Sequence, residues 1–238
     1  MAESTLKTGA ETYSSAIETA HNYTRWILGS FEPYYGRRVL EVGLGHGGYR
    51  QLLPAGIDYV GLDIDPDSVA RARARSPGSE YFQADITDPD LPGRLKPRQI
   101  DTILCVNVLE HIERDEAAVA NLLSILSPGG HLLILVPAFQ SLYSDLDRMA
   151  GHVRRYRLRD VPRLVGGRGT VLRAHYFNAV GGLGWWLNKA VGHESLDSGA
   201  VNRQIQVFDR LVVPLARMID LAARRIFGQS LIFVVRRP

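Results

Sequence analysis

Five short apolar runs recur through the middle of the chain: RRVLEVG, DYVGLDI, SEYFQAD, IDTILCVNV and GHLLILVPA. Helical patterns lie between them. DPDSVARARARS opens on Asp65-Pro66, a turn opener followed by residues with helix propensity. ERDEAAVANLLSILSPGG places Ala118, Val119, Leu122, Leu123 and Leu126 at helical spacing and stops at Pro128-Gly129-Gly130. Strand and helix in alternation predict a parallel sheet covered on both faces, because each crossover helix must bury its apolar stripe against the sheet. Val39–Gly43 is expected as the first strand, with the first helix opening at Gly47.

The flanks add to this core. In AIETAHNYTRWILGSF, the residues Ala16, Ile17, Ala20, Tyr23, Ile27 and Leu28 follow a helical pattern, so one or two cap helices are expected. After the fifth strand, FQSLYSDLDRMAGHVRRYRLRDVPRLVG reads as a polar loop and then a short helix from Arg159. RGTVLRAHYF and SLIFVVRRP read as two last strands. More than 50 residues separate them, far beyond what a hairpin needs. That insert holds NAVGGLGWWLNKAVG and a periodic run through Ile205, Phe208, Leu211 or Val212, Leu215, Ile219 and Ala222, interrupted by Pro214. It is an added helical element: a substrate lid, an oligomer surface or a membrane-surface patch.

A chain of 238 residues holds one substantial domain. Its 28 basic residues stand against 25 acidic ones, a net charge of +3, so composition does not compel nucleic-acid binding. Cys105, the single cysteine, reads as a buried thiol and fits a reducing compartment. The start MAESTLKTGAETY lacks a basic segment followed by an apolar run, so no signal peptide is read there. No window reaches about 18 uninterrupted apolar residues, so a spanning helix is not expected, and a cytoplasmic location is. Spacing reveals no repeat and no metal-ligand cluster.

The stretch LEVGLGHGGY carries the chemistry. Gly43, Gly45 and Gly48 fit the dinucleotide pattern between a predicted strand and helix, where backbone amides point outward at a ligand. Asp63 lies 20 residues after Gly43, where an acid accepts from two ribose hydroxyls. Nicotinamide dinucleotides and S-adenosylmethionine both present such hydroxyls. Asp63 has a second reading as a cap before Pro66, and Asp85 as a cap of the DITDPD loop. Glu41 is harder to explain structurally, because an acid in an apolar central strand is costly unless paired or bound to a ligand.

In order, VLEVGLGHGGY, GLDIDPDSV, FQADITD, IDTILCVNVLEHI and NLLSILSPGGHLLILVP resemble the motifs of class I S-adenosylmethionine-dependent methyltransferases, of the small-molecule type, over residues 36–137. The resemblance implies an α/β Rossmann-like fold: a seven-stranded, mostly parallel sheet with helices on both faces and an inserted helical lid. The domains would be a cap (1–35), a core (36–177), the insert (178–229) and a final core strand (230–238). It implies S-adenosyl-L-methionine as cofactor. Glu41 would orient its amino group, directly or through water. Gly43, Gly45 and Gly47 would let the chain pass close to it. Asp63 would bind the ribose, Ile64 would flank the adenine, Asp85 would accept from its amino group and Ile86 would pack on the ring. Asn107 and Val108 would line the cleft. His46 departs from the small residue often found in the glycine loop.

Methyl transfer needs a nucleophile placed in line behind the methyl group, and a base where the acceptor loses a proton. His111 in VLEHI and His152 in DLDRMAGHVRRY are the candidates, each with a structural alternative. Arg154, Arg155, Arg157 and Arg159 crowd beside Tyr143, Asp147 and Tyr156, forming either an anion site or salt bridges that lock the loop. Tyr13, His21, Tyr23 and Trp26 would close over the cofactor or pack. Trp185 and Trp186 would serve a mobile lid or anchor the insert. The expected function is methylation of a small molecule, with the post-strand block resembling bacterial enzymes of secondary or sugar-related metabolism. The alternatives are a peptide or RNA methyltransferase using the arginines, and, more distantly, a dehydrogenase. No nucleic-acid partner is expected, and a homodimer is considered.

Overall fold

The computed structural model describes residues 19–45, 47–188 and 199–238. In chain order the elements are α1 (His21–Phe31), β1 (Arg38–Val42), β2 (Asp58–Asp63), α2 (Pro66–Arg75), β3 (Glu80–Gln83), α3 (Leu91–Leu95), β4 (Thr102–Val106), α4 (Asp115–Ile125), β5 (His131–Pro137), α5 (Asp145–Met149), α6 (Val161–Val165), β6 (Thr170–Phe177), α7 (Ala179–Asn188), α8 (Gly199–Val207), α9 (Val213–Ala223) and β7 (Ser230–Arg236). The seven strands form one sheet in the order β3-β2-β1-β4-β5-β7-β6. β1 to β5 pair in parallel, while β7 runs antiparallel to both neighbours. The sheet is therefore mostly parallel, as the alternating pattern predicts. Strand direction itself is not written in an apolar run.

Side chains alternate across the sheet. Leu40, Val42, Ile103 and Cys105 face one apolar layer with Ala118, Val119 and Leu122 of α4. Val39, Leu104 and Val106 face the other, with Ile27, Leu28 and Phe31 of α1 and Val69 and Ala72 of α2. Burying each large apolar side chain is worth about 1.5–3 kcal/mol, so α1 is integral to one face of the core. α2 starts where the Asp65 carboxylate accepts from the amides of Asp67 and Ser68, with Pro66 in its first turn.

Three local expectations are corrected. The helix expected from Gly47 is a single 3₁₀ turn, Arg50–Leu52. Gly43, Gly45, Gly47 and Gly48 all take positive φ, which consumes the segment as loop before Pro54 and β2 arrive. The polar loop after β5 contains α5, at whose start the Ser144 amide donates to the Asp147 carboxylate. Pro214 does not break the insert's long run. α8 passes through a π-helical turn, Phe208–Val212, and α9 restarts with the proline in its first turn, where a missing N–H costs little.

The insert is tied down by its acids. Asp209 accepts from the amides of Asn22 (3.3 Å) and Tyr23 (2.7 Å) in α1. Asp220 accepts from the Ala179 amide at 3.0 Å. Outward, Leu211, Leu215 and Met218 are exposed. Among the described residues, no helix is long and apolar enough to cross a membrane.

Candidate active site

The C-terminal ends of the parallel strands open into one cavity of about 2120 Å³, more than the roughly 300–1,000 Å³ of an ordinary ligand pocket. The ends of β1 to β5 supply its floor: Gly43, Gly45 and Gly48, then Asp63 and Ile64, Asp85 and Ile86, Asn107 and Val108, and Pro137. α1 adds His21, and the insert adds an apolar wall that includes Leu183, Trp185 and Phe208.

The glycine loop is built for close approach. At φ +82°, a Cβ on Gly43 would collide with the Val108 side chain. A Cβ on Gly48 would sit 2.6 Å from the Tyr59 hydroxyl. Gly47 meets Arg75 and does not line the cavity, so Gly48 occupies the place the sequence reading gave it. Asp63 holds the loop: one carboxylate oxygen accepts from the Leu44 amide at 2.6 Å and the Gly45 amide at 3.3 Å. The other accepts from Asp65 at 2.9 Å. Asp63 thus reaches the cavity while clamping the loop. Asp85 reaches it too, and accepts from the Thr87 amide and hydroxyl, so it caps its loop as well. Asn107 takes a left-handed backbone, φ 53°, at the turn out of β4.

Glu41 is 1% exposed, beneath the loop. One oxygen accepts from the Tyr49 amide and the Tyr59 hydroxyl, both at 2.8 Å. The other is buried with no hydrogen-bond partner. Burial pushes its carboxyl up to about 8, against the pull of the Tyr49 and Tyr59 bonds.

Residues 40–134 match the family model described as "Methyltransferase domain". Over that stretch the chain is similar to methyltransferase domains. A ubiquinone biosynthesis O-methyltransferase of Vibrio atlanticus is 30% identical over 112 residues, 45% of this chain and 46% of the relative. A fatty-acid O-methyltransferase of Mycolicibacterium smegmatis is 34% identical over 105 residues, 41% of this chain and 36% of the relative. The chain therefore spans less than half the length of these curated relatives. In fold it is similar to the N-methyltransferase NodS from Bradyrhizobium japonicum in complex with S-adenosyl-L-homocysteine (TM-score 0.54, 16% identity, covering 94% of this chain and 89% of that one). It is also similar to a methyltransferase from Archaeoglobus fulgidus (TM-score 0.59, 17% identity, covering 90% and 93%).

Across the cavity from the glycine loop the two candidate histidines meet. The His111 and His152 rings stand 4.8 Å apart, edge to face, and both line the cavity. Burial, helped by the neighbouring His152, lowers His111 to about 4, so its imidazole is neutral near pH 7. The His152 Nδ1 lies 2.8 Å from the Asp147 carboxylate. Burial raises Asp147, but the His152 and Arg155 bonds outweigh it and hold the carboxyl at about 2. An ionised partner makes Nδ1 the donor and leaves Nε2 free as an acceptor.

The arginines sort differently from the anion-site reading. Arg155 grips Asp147 through two nitrogens, at 2.8 and 3.0 Å, and donates to the Ala138 carbonyl. Arg154 pairs with Asp115 at 2.8 Å and donates to the Glu113 carbonyl. Tyr156 is 1% exposed, its hydroxyl spent on the Leu109 carbonyl and Asp115. Tyr143 donates to the His152 carbonyl and does not line the cavity. Arg154 and Tyr156 tie the post-β5 loop to Asp115 at the start of α4, while Arg155 and Tyr143 brace that loop on itself; of the four, Arg155 also reaches the cavity. Trp185 lines the cavity beneath the Arg155 guanidinium, whereas Trp186 is 60% exposed and outside the lining. Tyr13 and His46 lie outside the described residues. Sequence reading missed Glu110, buried beside the histidines in the turn Leu109–His111; its signal was an acid next to His111 a few residues after β4.

Proposed function

We propose that the chain transfers a methyl group from S-adenosyl-L-methionine to the oxygen of a small, largely apolar acceptor. The observation that carries this is the shared cavity, which holds the glycine loop and strand-end acids at one side and His111 and His152 at the other. The residues suit the cofactor. Glu41 keeps an unpartnered oxygen beneath the loop, and the loop's close approach leaves no room for a Cβ at Gly43. Glu41 would serve the amino group, Asp63 the ribose hydroxyls, and Ile64, Asp85 and Ile86 the adenine. When bound, the cofactor supplies an electrophilic methyl on a sulfonium, a leaving group that needs no acid.

The chain's own work is then positional. Leu183, Trp185 and Phe208 exclude water from the acceptor. His111 and His152 face the acceptor's oxygen, and His152, oriented by Asp147, receives or directs its proton. The names of the two relatives support oxygen as the methylated atom and an apolar body for the acceptor. A peptide or RNA acceptor is less well supported, because Arg154 and Arg155 already have carboxylate partners. Calorimetric titration of ligand-stripped protein tests the cofactor. Saturable binding of S-adenosylhomocysteine and none of NAD is expected. The reverse overturns the reading.

A further inference from the structure

Among the described residues, Glu110 is the carboxylate with both oxygens buried and unpartnered. It is 0% exposed, and neither carboxylate oxygen has a hydrogen-bond partner. A carboxyl so placed costs several kcal/mol unless something compensates it. The Nδ1 of His111 is likewise buried without a partner. The Nε2 of His152 stands 3.9 Å from a Glu110 oxygen. One donor atom from each of the three residues lies within 4.8 Å of the other two.

We infer that Glu110, His111 and His152 form a binding site for a divalent transition-metal ion at the acceptor end of the cavity. Two imidazole nitrogens and one carboxylate oxygen suit Zn²⁺, Mn²⁺, Fe²⁺ or Co²⁺ better than Mg²⁺ or Ca²⁺, which take oxygen ligands. Donors at about 2.1 Å from an ion stand about 3.4 Å apart in a tetrahedral set, so separations of up to 4.8 Å would close by up to about 1.4 Å on loading.

The surroundings are those of a ligand set. His152 donates Nδ1–H to Asp147, which turns Nε2 inward as the ligating lone pair, and Arg155 holds Asp147 in turn. The loop is pinned in register, with the Val153 amide donating to the Glu110 carbonyl at 2.8 Å. The Tyr143 hydroxyl donates to the His152 carbonyl at 2.7 Å.

His111 and His152 line the cavity while Glu110 lies behind them. An ion here has its open positions toward the acceptor and would take an acceptor oxygen as a further ligand; with the ion bound, His152 Nε2 would be a ligand rather than the base, and the ion would itself ease loss of that oxygen's proton. This deepens the proposed reaction and rests on it only for the acceptor's place. Binding of the ion stands alone.

The test uses chelator-stripped full-length protein titrated with Zn²⁺ by calorimetry and with Co²⁺ by visible absorption. One ion per chain is expected, with a Co²⁺ d–d spectrum and a raised melting temperature. Glu110→Gln, which alters no hydrogen bond made by that side chain, and His111→Asn are each expected to weaken binding at least tenfold. S-adenosylhomocysteine affinity should hold in both. No saturable binding to cooperatively folding wild-type protein overturns the site, as does unchanged affinity in Glu110→Gln. Loss of S-adenosylhomocysteine binding with metal binding intact would instead count against the proposed function alone.

Discussion

Replacing Glu41 by glutamine separates the cost of a buried acid from its use. At about 1.4 kcal/mol per pH unit, holding the charged form back from pH 4.5 to about 8 corresponds to about 5 kcal/mol. The folded-state value is the raised one. Its contribution is therefore fully present below pH 4.5 and is lost as pH rises through about 8. Glutamine keeps an oxygen for the Tyr49 amide and the Tyr59 hydroxyl. Its amide nitrogen falls where the carboxylate oxygen has no partner, so no bond is lost. Urea unfolding of cofactor-free wild type and Glu41→Gln at pH 5 and pH 8 is the assay. The variant should match the wild type near pH 5 and exceed it at pH 8 by about 2–5 kcal/mol, the lower figure allowing for local relaxation. S-adenosylhomocysteine titrations should run the other way. Wild-type affinity should rise between pH 6 and pH 8 as Glu41 ionises beneath the ligand's ammonium, while the variant binds weakly and without that slope. Parallel stability profiles, or equal affinities, would refute the argument.

Asp63→Asn should weaken S-adenosylhomocysteine binding by about 1.5–3 kcal/mol through lost charge-assisted bonds. It should also lower the melting temperature, because the same carboxylate clamps the Leu44 and Gly45 amides. Asp147→Asn leaves the buried Arg155 guanidinium without its charge partner and should cost about 3–5 kcal/mol in urea unfolding at pH 7. Because Asp147 is depressed to about 2, its stabilisation is present above about pH 4 and lost as pH falls toward 2, so wild type and variant should converge in acid. Trp185→Leu should reduce acceptor-dependent turnover with S-adenosylhomocysteine affinity retained, whereas the exposed Trp186→Leu should leave both within about twofold in steady-state assays.

The placement of much of the candidate site was legible because it rests on local rules. The acid in an apolar strand, the glycines after it and the acid ending the next strand each have a steric or electrostatic reason visible in sequence. The missing helix after β1 was not legible, since the loop's four positive φ values belong to backbone geometry rather than to hydrophobic period. Nor was the fate of the arginines. Arg154 and Arg155 read equally as an anion site until folding brings Asp115 and Asp147 against them. Glu110 sat in plain view beside His111, but its isolation from every hydrogen-bond partner is a property of packing. Pro214 looked like a break because periodicity does not register a widened turn that absorbs the lost amide.

The bond from α1 to Asp209 has a mechanical consequence. α1 and the insert are nearly 200 residues apart in sequence, yet they behave as two shutters on one latch. Asp209 holds the first turn of α1 by two amides, and Arg217 returns a bond to the Asn22 carbonyl at 2.9 Å. Neither wall can swing without dragging the other or breaking that buried carboxylate's bonds. A wider mouth therefore comes from both walls moving together, or from traffic through the entrance already present. Loosening either end of the chain's cap would be felt at the far side of the cavity.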